Sequence, residues 1–156
     1  MRDLELQEQF ELEALDLLRS GRILDKMVFT GGTMLRLCFG LNRFSLDLDF
    51  WLVKKTDAAD LFAKLGKILS ERYEIRDRAD KFNTILFEIR SPAYPSKLKI
   101  EIRKQKKNIR TEPAIAYSRF SDTQVLLRVA SPDEMMKAKL NAFLDRGEIR
   151  DVFDME

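Results

Sequence analysis

The chain has 156 residues, 45% of them hydrophobic, with a formal net charge of +2 at pH 7, one cysteine and no histidine. Its length fits a single domain with a real core. The lack of histidine excludes Ser-His-Asp and Cys-His catalysis and histidine-bound zinc. Any chemistry must therefore use carboxylates, lysine, arginine or hydroxyls. Because there is no run of about 18 apolar residues and no apolar signal-peptide segment, we expect a cytoplasmic protein that does not span a membrane.

The N-terminal segment, residues 3–19, predicts an amphipathic helix that ends near Gly21. Leu6, Phe10 and Ala14 recur at four-residue intervals, and acidic residues occupy the remaining surface. We expect this helix to pack against the core and to take no part in chemistry.

A glycine-rich turn follows the first predicted strand. Residues 27–29 have strand character, residues 30–33 predict a turn, and residues 34–39 predict a short helix that Gly40 ends. A strand, a glycine turn and a helix N-terminus together present backbone N–H groups and the positive end of a helix dipole to an anion. The turn matches neither a Walker A loop nor Gly-x-Gly-x-x-Gly. The residues expected to bind phosphate here are Gly31, Gly32 and Thr33.

Two aspartates, Asp47 and Asp49, lie two positions apart in the next predicted strand, residues 46–52. Because side chains alternate along a strand, both carboxylates point to the same side, roughly 6.6 to 6.8 Å apart, and can reach one metal ion. Two solvated acids on a half-exposed strand remain the alternative. The opposite, apolar face is formed by Leu46, Leu48, Phe50 and Leu52.

The loop before this strand brings Arg43 and Ser45 to its start. A guanidinium there can hold a triphosphate oxygen, and the hydroxyl can do the same or cap the turn. A surface ion pair is the alternative for Arg43.

The glycine turn and residues 43–50, Arg-Phe-Ser-Leu-Asp-Leu-Asp-Phe, together resemble the nucleotidyltransferase superfamily and, more narrowly, the AbiEii/AbiGii-type toxins. The family pattern is Gly-Gly-Thr/Ser, a short helix, then Arg-x-Ser-x-Asp-hydrophobic-Asp-Phe, and it covers residues 27–53. The resemblance implies a toxin of a toxin–antitoxin or abortive-infection system that uses an NTP and modifies an acceptor, with tRNA as the implied acceptor and an antitoxin as a partner. Oxygen ligands suit Mg²⁺, or Mn²⁺ in its place.

The middle of the chain predicts a helix and a strand pair. Residues 57–70 form a second amphipathic helix behind an N-cap at Thr56 or Asp57. Residues 73–78 and 84–90 predict strands around a turn at residues 79–83.

Residues 97–103 alternate cleanly, and Glu101 is the acid on the polar face of this predicted strand. Metal-dependent phosphoryl transfer needs a third carboxylate near the aspartate pair. If this strand lies beside the aspartate strand, Glu101 can converge on the same site as a catalytic residue and metal ligand. The alternative is an ion pair with Lys99 or Arg103. The resemblance favours the catalytic role, since the family takes its third acid from such a strand.

A basic run follows the Glu101 strand and extends to Arg110. It has no hydrophobic period, so it is either a solvated loop or, beside a triphosphate site, a surface that holds a polyanionic acceptor. The residues assigned to acceptor binding are Lys104, Lys106 and Lys107.

The C-terminal part predicts a strand at residues 125–129 and then a helix. Ser131, Pro132 and Glu134 form a capping box that begins a helix running to about Arg146. Lys139 on this helix matches the lysine of the family's C-terminal signature, which implies contact with the nucleotide phosphates; a solvated lysine is the alternative.

The predicted fold class is α/β (α+β), with a small mixed sheet of four to six strands flanked by helices. Residues 1–130 are the expected nucleotidyltransferase core, and residues 131–156 are a C-terminal helical segment, short for the family. We expect a metal-dependent nucleotidyltransferase that moves a nucleoside monophosphate from an NTP to an acceptor. The alternatives are a small-molecule nucleotidyltransferase of the antibiotic-modifying kind and a catalytically idle module that binds nucleotide or RNA.

Overall fold

The structure is a computed structural model that describes residues 2–41, 46–53, 56–104, 109–133 and 135. Three longer helices, a short 3₁₀ turn at Leu24–Lys26 and seven strands make up this part of the chain. The helices are α1 (Arg2–Ser20), α2 (Gly31–Phe39) and α3 (Ala58–Ser70). The strands are β1 (Met27–Thr30), β2 (Asp47–Leu52), β3 (Glu74–Asp80), β4 (Thr84–Arg90), β5 (Leu98–Arg103), β6 (Thr111–Ala116) and β7 (Val125–Ala130).

The strands form one mixed sheet in the order β3-β4-β5-β2-β1-β7-β6. Strands β2 and β5 are parallel, as are β1 and β7, and the other neighbours are antiparallel. The mixed α/β architecture is therefore confirmed. The sheet has one strand more than the four to six expected, because β6 was not predicted. Pro113 masks its strand character, and a proline is tolerated there because β6 is an edge strand.

The core lies against one face of the sheet. Strands β2, β4 and β5 alternate between buried and half-exposed residues, as their sequences predict. The buried face carries Phe50 and Phe87, and Phe62 of α3 contacts Phe87 with ring centroids 5.1 Å apart. Leu46 was expected on this apolar face, but it precedes β2 and is 39% exposed.

Helix α1 packs as expected, and its polar side contacts the residue before β3 and the segment before β5. The ring of Phe10 stacks on Tyr94 at 4.6 Å and contacts Tyr73. Both tyrosine hydroxyls donate hydrogen bonds to the carboxylate of Glu13, at 2.8 Å from Tyr73 and 2.7 Å from Tyr94. Helix α1 thus contacts both tyrosines through the apolar ring of Phe10 and the partly buried carboxylate of Glu13.

Two predicted element boundaries are corrected. Helix α2 begins at Gly31 and not at Met34, so the two glycines form its first turn. Strand β3 continues to Asp80, which leaves a loop of residues 81–83 where a longer turn was expected. Both errors arise because glycine and charged residues were taken as signs of turns, although the sheet and the helix accommodate them here.

Several predicted helix ends are confirmed. Gly40 ends α2 in the left-handed conformation, with φ of 70°. The Asp57 side chain caps α3 by accepting hydrogen bonds from the backbone N–H groups of Ala59 and Asp60. The N–H of Met135 donates to the carbonyl of Ser131, which places the start of the last helix as predicted.

Most of the predicted C-terminal helix lies outside the described residues, and the proposed domain boundary at residue 130 stays a prediction. Within the described ranges, no helix combines the length and the apolar character that crossing a membrane requires.

Candidate active site

Three carboxylates lie on one face of the sheet, where strands β2 and β5 run side by side. Asp49 pairs in register with Glu101, and Asp47 pairs in register with Lys99. Register partners on neighbouring strands project to the same face, about 4.8 Å apart. The intervening Leu48 is fully buried on the opposite face, so the acids share the half-exposed side. The expectation that the Glu101 strand lies beside the aspartate strand is confirmed.

Lys99 places a positive charge among these acids. Its Nζ lies 3.9 Å from Oε2 of Glu101, so the ion pair considered as an alternative for Glu101 is present together with the approach to Asp49. Lys99 was predicted only as an alternative ion-pair partner of Glu101 and not as part of the site. The alternation of β5 places it on the same face as Glu101, and that pattern was the signal that could have revealed it.

Burial raises the proton affinity of the two aspartates, and the neighbouring acids add to the effect. Burial, followed by the negative charges of Asp47 and Glu101, raises the pKa of Asp49 to about 6. Burial also raises the pKa of Asp47, while the Lys99 ammonium lowers it and Glu101 raises it. Arg103 and Lys99 lower the pKa of Asp49, so these two cations compensate the negative charge at this site only in part.

A divalent cation fits the chemistry of these donors. Anionic oxygens are the ligands that Mg²⁺ prefers, and the raised pKa of Asp49 marks a carboxylate that lacks a neighbouring positive charge strong enough to offset its burial. In the described part of the chain, however, no three acidic or cysteine side chains are already grouped for a metal ion. Glu101 is instead near Lys99. Binding a metal here would require these side chains to reorient.

Gly31 brings the start of α2 against Asp49. Its φ of +85° is in the left-handed region, and a Cβ at this position would lie 2.8 Å from Oδ2 of Asp49. The hydroxyl of Thr30 donates to the backbone carbonyl of Asp49 at 3.2 Å and does not cap the helix. The N-terminus of α2, where N–H groups lack helical partners and the helix dipole is positive, therefore begins beside the acids.

A comparison with known protein families identifies the family of this chain. The family model described as the AbiEii nucleotidyl transferase toxin of type IV toxin–antitoxin systems matches residues 16–156. The chain belongs to the AbiEii family. The resemblance inferred from the glycine turn and the aspartate strand is confirmed.

Two crystal structures from Helicobacter pylori share the fold of this AbiEii chain. The protein JHP933 is 26% identical with a TM-score of 0.55, and the match covers 92% of this chain and 64% of that protein. A candidate nucleotidyltransferase is 24% identical with a TM-score of 0.50, and the match covers 83% of this chain and 57% of that protein. The AbiEii chain thus spans less than two thirds of the length of either protein. No protein with a curated description matches it.

The remaining predicted residues of the AbiEii site divide into three groups. Gly32 and Thr33 are buried in the first turn of α2, and the hydroxyl of Thr33 has no hydrogen-bond partner among the residues that the structure describes. Lys104 forms an ion pair with Asp80, which lies at the end of β3. The residues that lie outside the described part of the chain are Arg43, Ser45, Lys106, Lys107 and Lys139.

A buried ion-pair network holds α2 in the AbiEii fold. The guanidinium of Arg36 lies 2.6 Å from Glu11 and 3.3 Å from Glu8, both on α1. Ser118 donates a hydrogen bond of 2.6 Å to Glu8. Burial raises the pKa of Glu11 to about 7, against the opposing effect of Arg36. Because Asp47 contributes to the same shift, the network lies within electrostatic range of the acids.

Proposed function

We propose that this chain is an Mg²⁺-dependent nucleotidyltransferase that moves a nucleoside monophosphate from an NTP to a hydroxyl group of an RNA acceptor, tRNA in particular. The observation that carries the proposal is the register pairing of Asp49 with Glu101, beside Asp47 and against Gly31. Family membership supports the reaction class. The biological role proposed with it is that of a toxin controlled by a cognate antitoxin.

In this reaction the acceptor hydroxyl oxygen forms a bond to the α-phosphorus, and the bond from that phosphorus to the pyrophosphate oxygen breaks. Pyrophosphate leaves and the hydroxyl proton is released. Asp47 and Asp49 are assigned as the main metal ligands, and Glu101 as the group that completes the metal shell and accepts the proton of the acceptor. When bound, Mg²⁺ would offset charge on the transferring phosphoryl group.

The nucleotide is assigned to the α2 side of the acids. Backbone N–H groups of Gly31, Gly32 and Thr33 are the proposed phosphate donors, since the Thr33 hydroxyl is buried. Arg43, Ser45 and Lys139 join this set on the resemblance to the family. The acceptor is assigned to the basic segment of Lys104, Lys106 and Lys107.

The test is incubation with each of four α-³²P-labelled NTPs, Mg²⁺, total tRNA and, separately, aminoglycoside acceptors. We expect label on tRNA, abolished by EDTA and in D49N. Label on the small acceptors alone would replace the RNA acceptor by an antibiotic-type one. Nucleotide binding without transfer to any acceptor would support the idle module and overturn the proposal.

A further inference from the structure

Phe82 presents an aromatic ring to solvent at the tip of the β3–β4 hairpin. It is 93% exposed, the largest value among the large hydrophobic residues of the described chain. The loop around it is held on both sides: the N–H of Lys81 donates to the carbonyl of Thr84 at 2.8 Å, and the N–H of Lys104 donates to the carbonyl of Asn83 at 2.9 Å. Because the backbone on both sides of Phe82 is held in this way, a ligand that packs on the ring has to order little more than the side chain.

The same ring lines a cleft of about 590 Å³ that reaches Glu101, one of the three acids. Its walls include Glu101, the assigned proton acceptor, and the cationic residues Arg103 and Lys104. Arg103 is exposed at the end of β5 and forms no ion pair with a described residue, while Lys104 is already paired with Asp80. An aromatic face beside positive charge is the combination by which proteins bind single-stranded nucleic acid.

The sheet order decides which substrate this cleft would serve. From one edge inward the strands run β3, β4, β5, β2 and β1, so the hairpin of Phe82 and the N-terminus of α2 at Gly31 lie on opposite sides of the acids. In an in-line displacement the attacking and leaving oxygens are on opposite sides of the phosphorus. With the NTP phosphates on the Gly31 side, the Phe82 side is left for the acceptor.

We propose that Phe82 stacks on an unpaired nucleobase of the acceptor RNA, and that Arg103 contacts a phosphate of the same strand. This inference rests on the proposed function, because it names the recognition chemistry of the acceptor in that reaction. It adds an aromatic contact to an acceptor surface that the sequence had assigned to lysines alone.

The experiment measures the Kd of a fluorescein-labelled single-stranded oligoadenylate without NTP or divalent cation, over a range of salt concentrations. F82A should weaken binding about 5- to 150-fold, the range for loss of one stacked base, while leaving the slope of log Kd against log salt unchanged. F82W should bind at least as tightly as the wild type. R103Q should flatten the slope by about 0.7, as expected for one lost single-strand phosphate contact.

Matched controls separate stacking from general loss of an apolar group. Leu126, on β7 far along the sheet, is 63% exposed, and L126A should bind as the wild type does. An oligonucleotide of the same length with abasic sites should bind wild type and F82A equally. Equal binding of oligoadenylate by wild type and F82A, or no binding by wild type, would overturn the inference.

A last measurement distinguishes the acceptor base from the base of the NTP. Trp51 is the one tryptophan of the chain and lies two positions after Asp49 on the same face of β2, so its fluorescence can report ATP binding. F82A should leave the ATP titration unchanged. A weakened ATP titration with normal oligonucleotide binding would place the donor base on Phe82 and overturn the assignment. Because neither titration requires transfer, a wild type that binds RNA but transfers no nucleotide would contradict the proposed function alone.

Discussion

The backbone of Gly31 passes so close to Asp49 that a Cβ at position 31 would lie 2.8 Å from the carboxylate Oδ2. The glycine therefore serves two purposes, since it adopts a φ of +85° and leaves room for the acid. The first turn of α2 and Asp49 of β2 are therefore packed directly against each other, and a substitution in either should change the position of the other.

The first prediction separates these two purposes. G31A should lose more than about tenfold in transfer activity and destabilise the fold by about 1 to 3 kcal/mol, because it adds backbone strain and a clash with Asp49. G40A is the matched control, since Gly40 also has a positive φ, of 70°, but no atom of the described residues lies within 4 Å of its missing Cβ. G40A should cost only the strain, about 1 kcal/mol, and keep activity. Urea denaturation and transfer assays on both variants make the comparison, and equal losses of stability and activity would contradict it.

The second prediction concerns the pH dependence of Asp49. Its folded pKa of about 6 lies above the unfolded value of about 3.9, so the native state binds more protons between these values. Its contribution to stability is therefore fully present below about pH 4 and is lost as the pH rises through about 6.

D49N removes this penalty. Without divalent cations, the variant should match the wild type near pH 4 and be about 1 to 3 kcal/mol more stable at pH 8, while transfer is abolished. The control is D77N at an exposed position of β3, which should change stability little at either pH. Urea denaturation at both pH values is the measurement. A stability difference between D49N and wild type that is the same at pH 4 and pH 8 would refute this account.

The third prediction is that Lys99 competes with the metal for the acids. Removing its charge in K99Q leaves the carboxylates more negative, so Mg²⁺ should bind more tightly. The metal-free protein should lose no more than about 1 kcal/mol, because the pair with Glu101 is partly exposed. K97Q is the matched control, because Lys97 pairs with Glu88 at 3.1 Å and its loss should leave Mg²⁺ affinity unchanged. Mg²⁺ titrations followed by Trp51 fluorescence test this, and a lower affinity in K99Q would argue against competition.

The fourth prediction concerns the buried network behind α2. R36M leaves Glu8 and Glu11 without their shared cation, and the loss of one partner from a buried pair costs about 3 to 5 kcal/mol. R19M is the control, because Arg19 pairs with Asp16 on the surface, where such a pair contributes at most about 1 kcal/mol. Thermal and urea unfolding of both variants provide the comparison. An R36M protein as stable as R19M would show that α2 is held by its apolar contacts alone.

Much of the site could be read from local patterns. The alternation of residues 46–52 placed Asp47 and Asp49 on one face, because side chains of an extended chain alternate whatever surrounds them. The alternation of β5 likewise placed Glu101 opposite its buried neighbours. The same rule placed Lys99 on the same face as Glu101. The pattern of a single strand does not show, however, which charged residues of the neighbouring strands will lie close to Lys99.

What local patterns left open was how these strands are combined. The parallel register that sets Asp49 against Glu101 joins strands far apart in the chain, and it follows from burying their apolar faces together. The start of α2 at Gly31 also depends on tertiary structure, because this residue packs against Asp49. Strand β6 likewise tolerates Pro113 because β6 lies at the edge of the sheet. Backbone geometry thus decided which face of its strand each side chain occupies. Packing between distant segments decided which strands and helices contact one another, because the burial of apolar surface stabilises contacts that no short stretch of sequence contains.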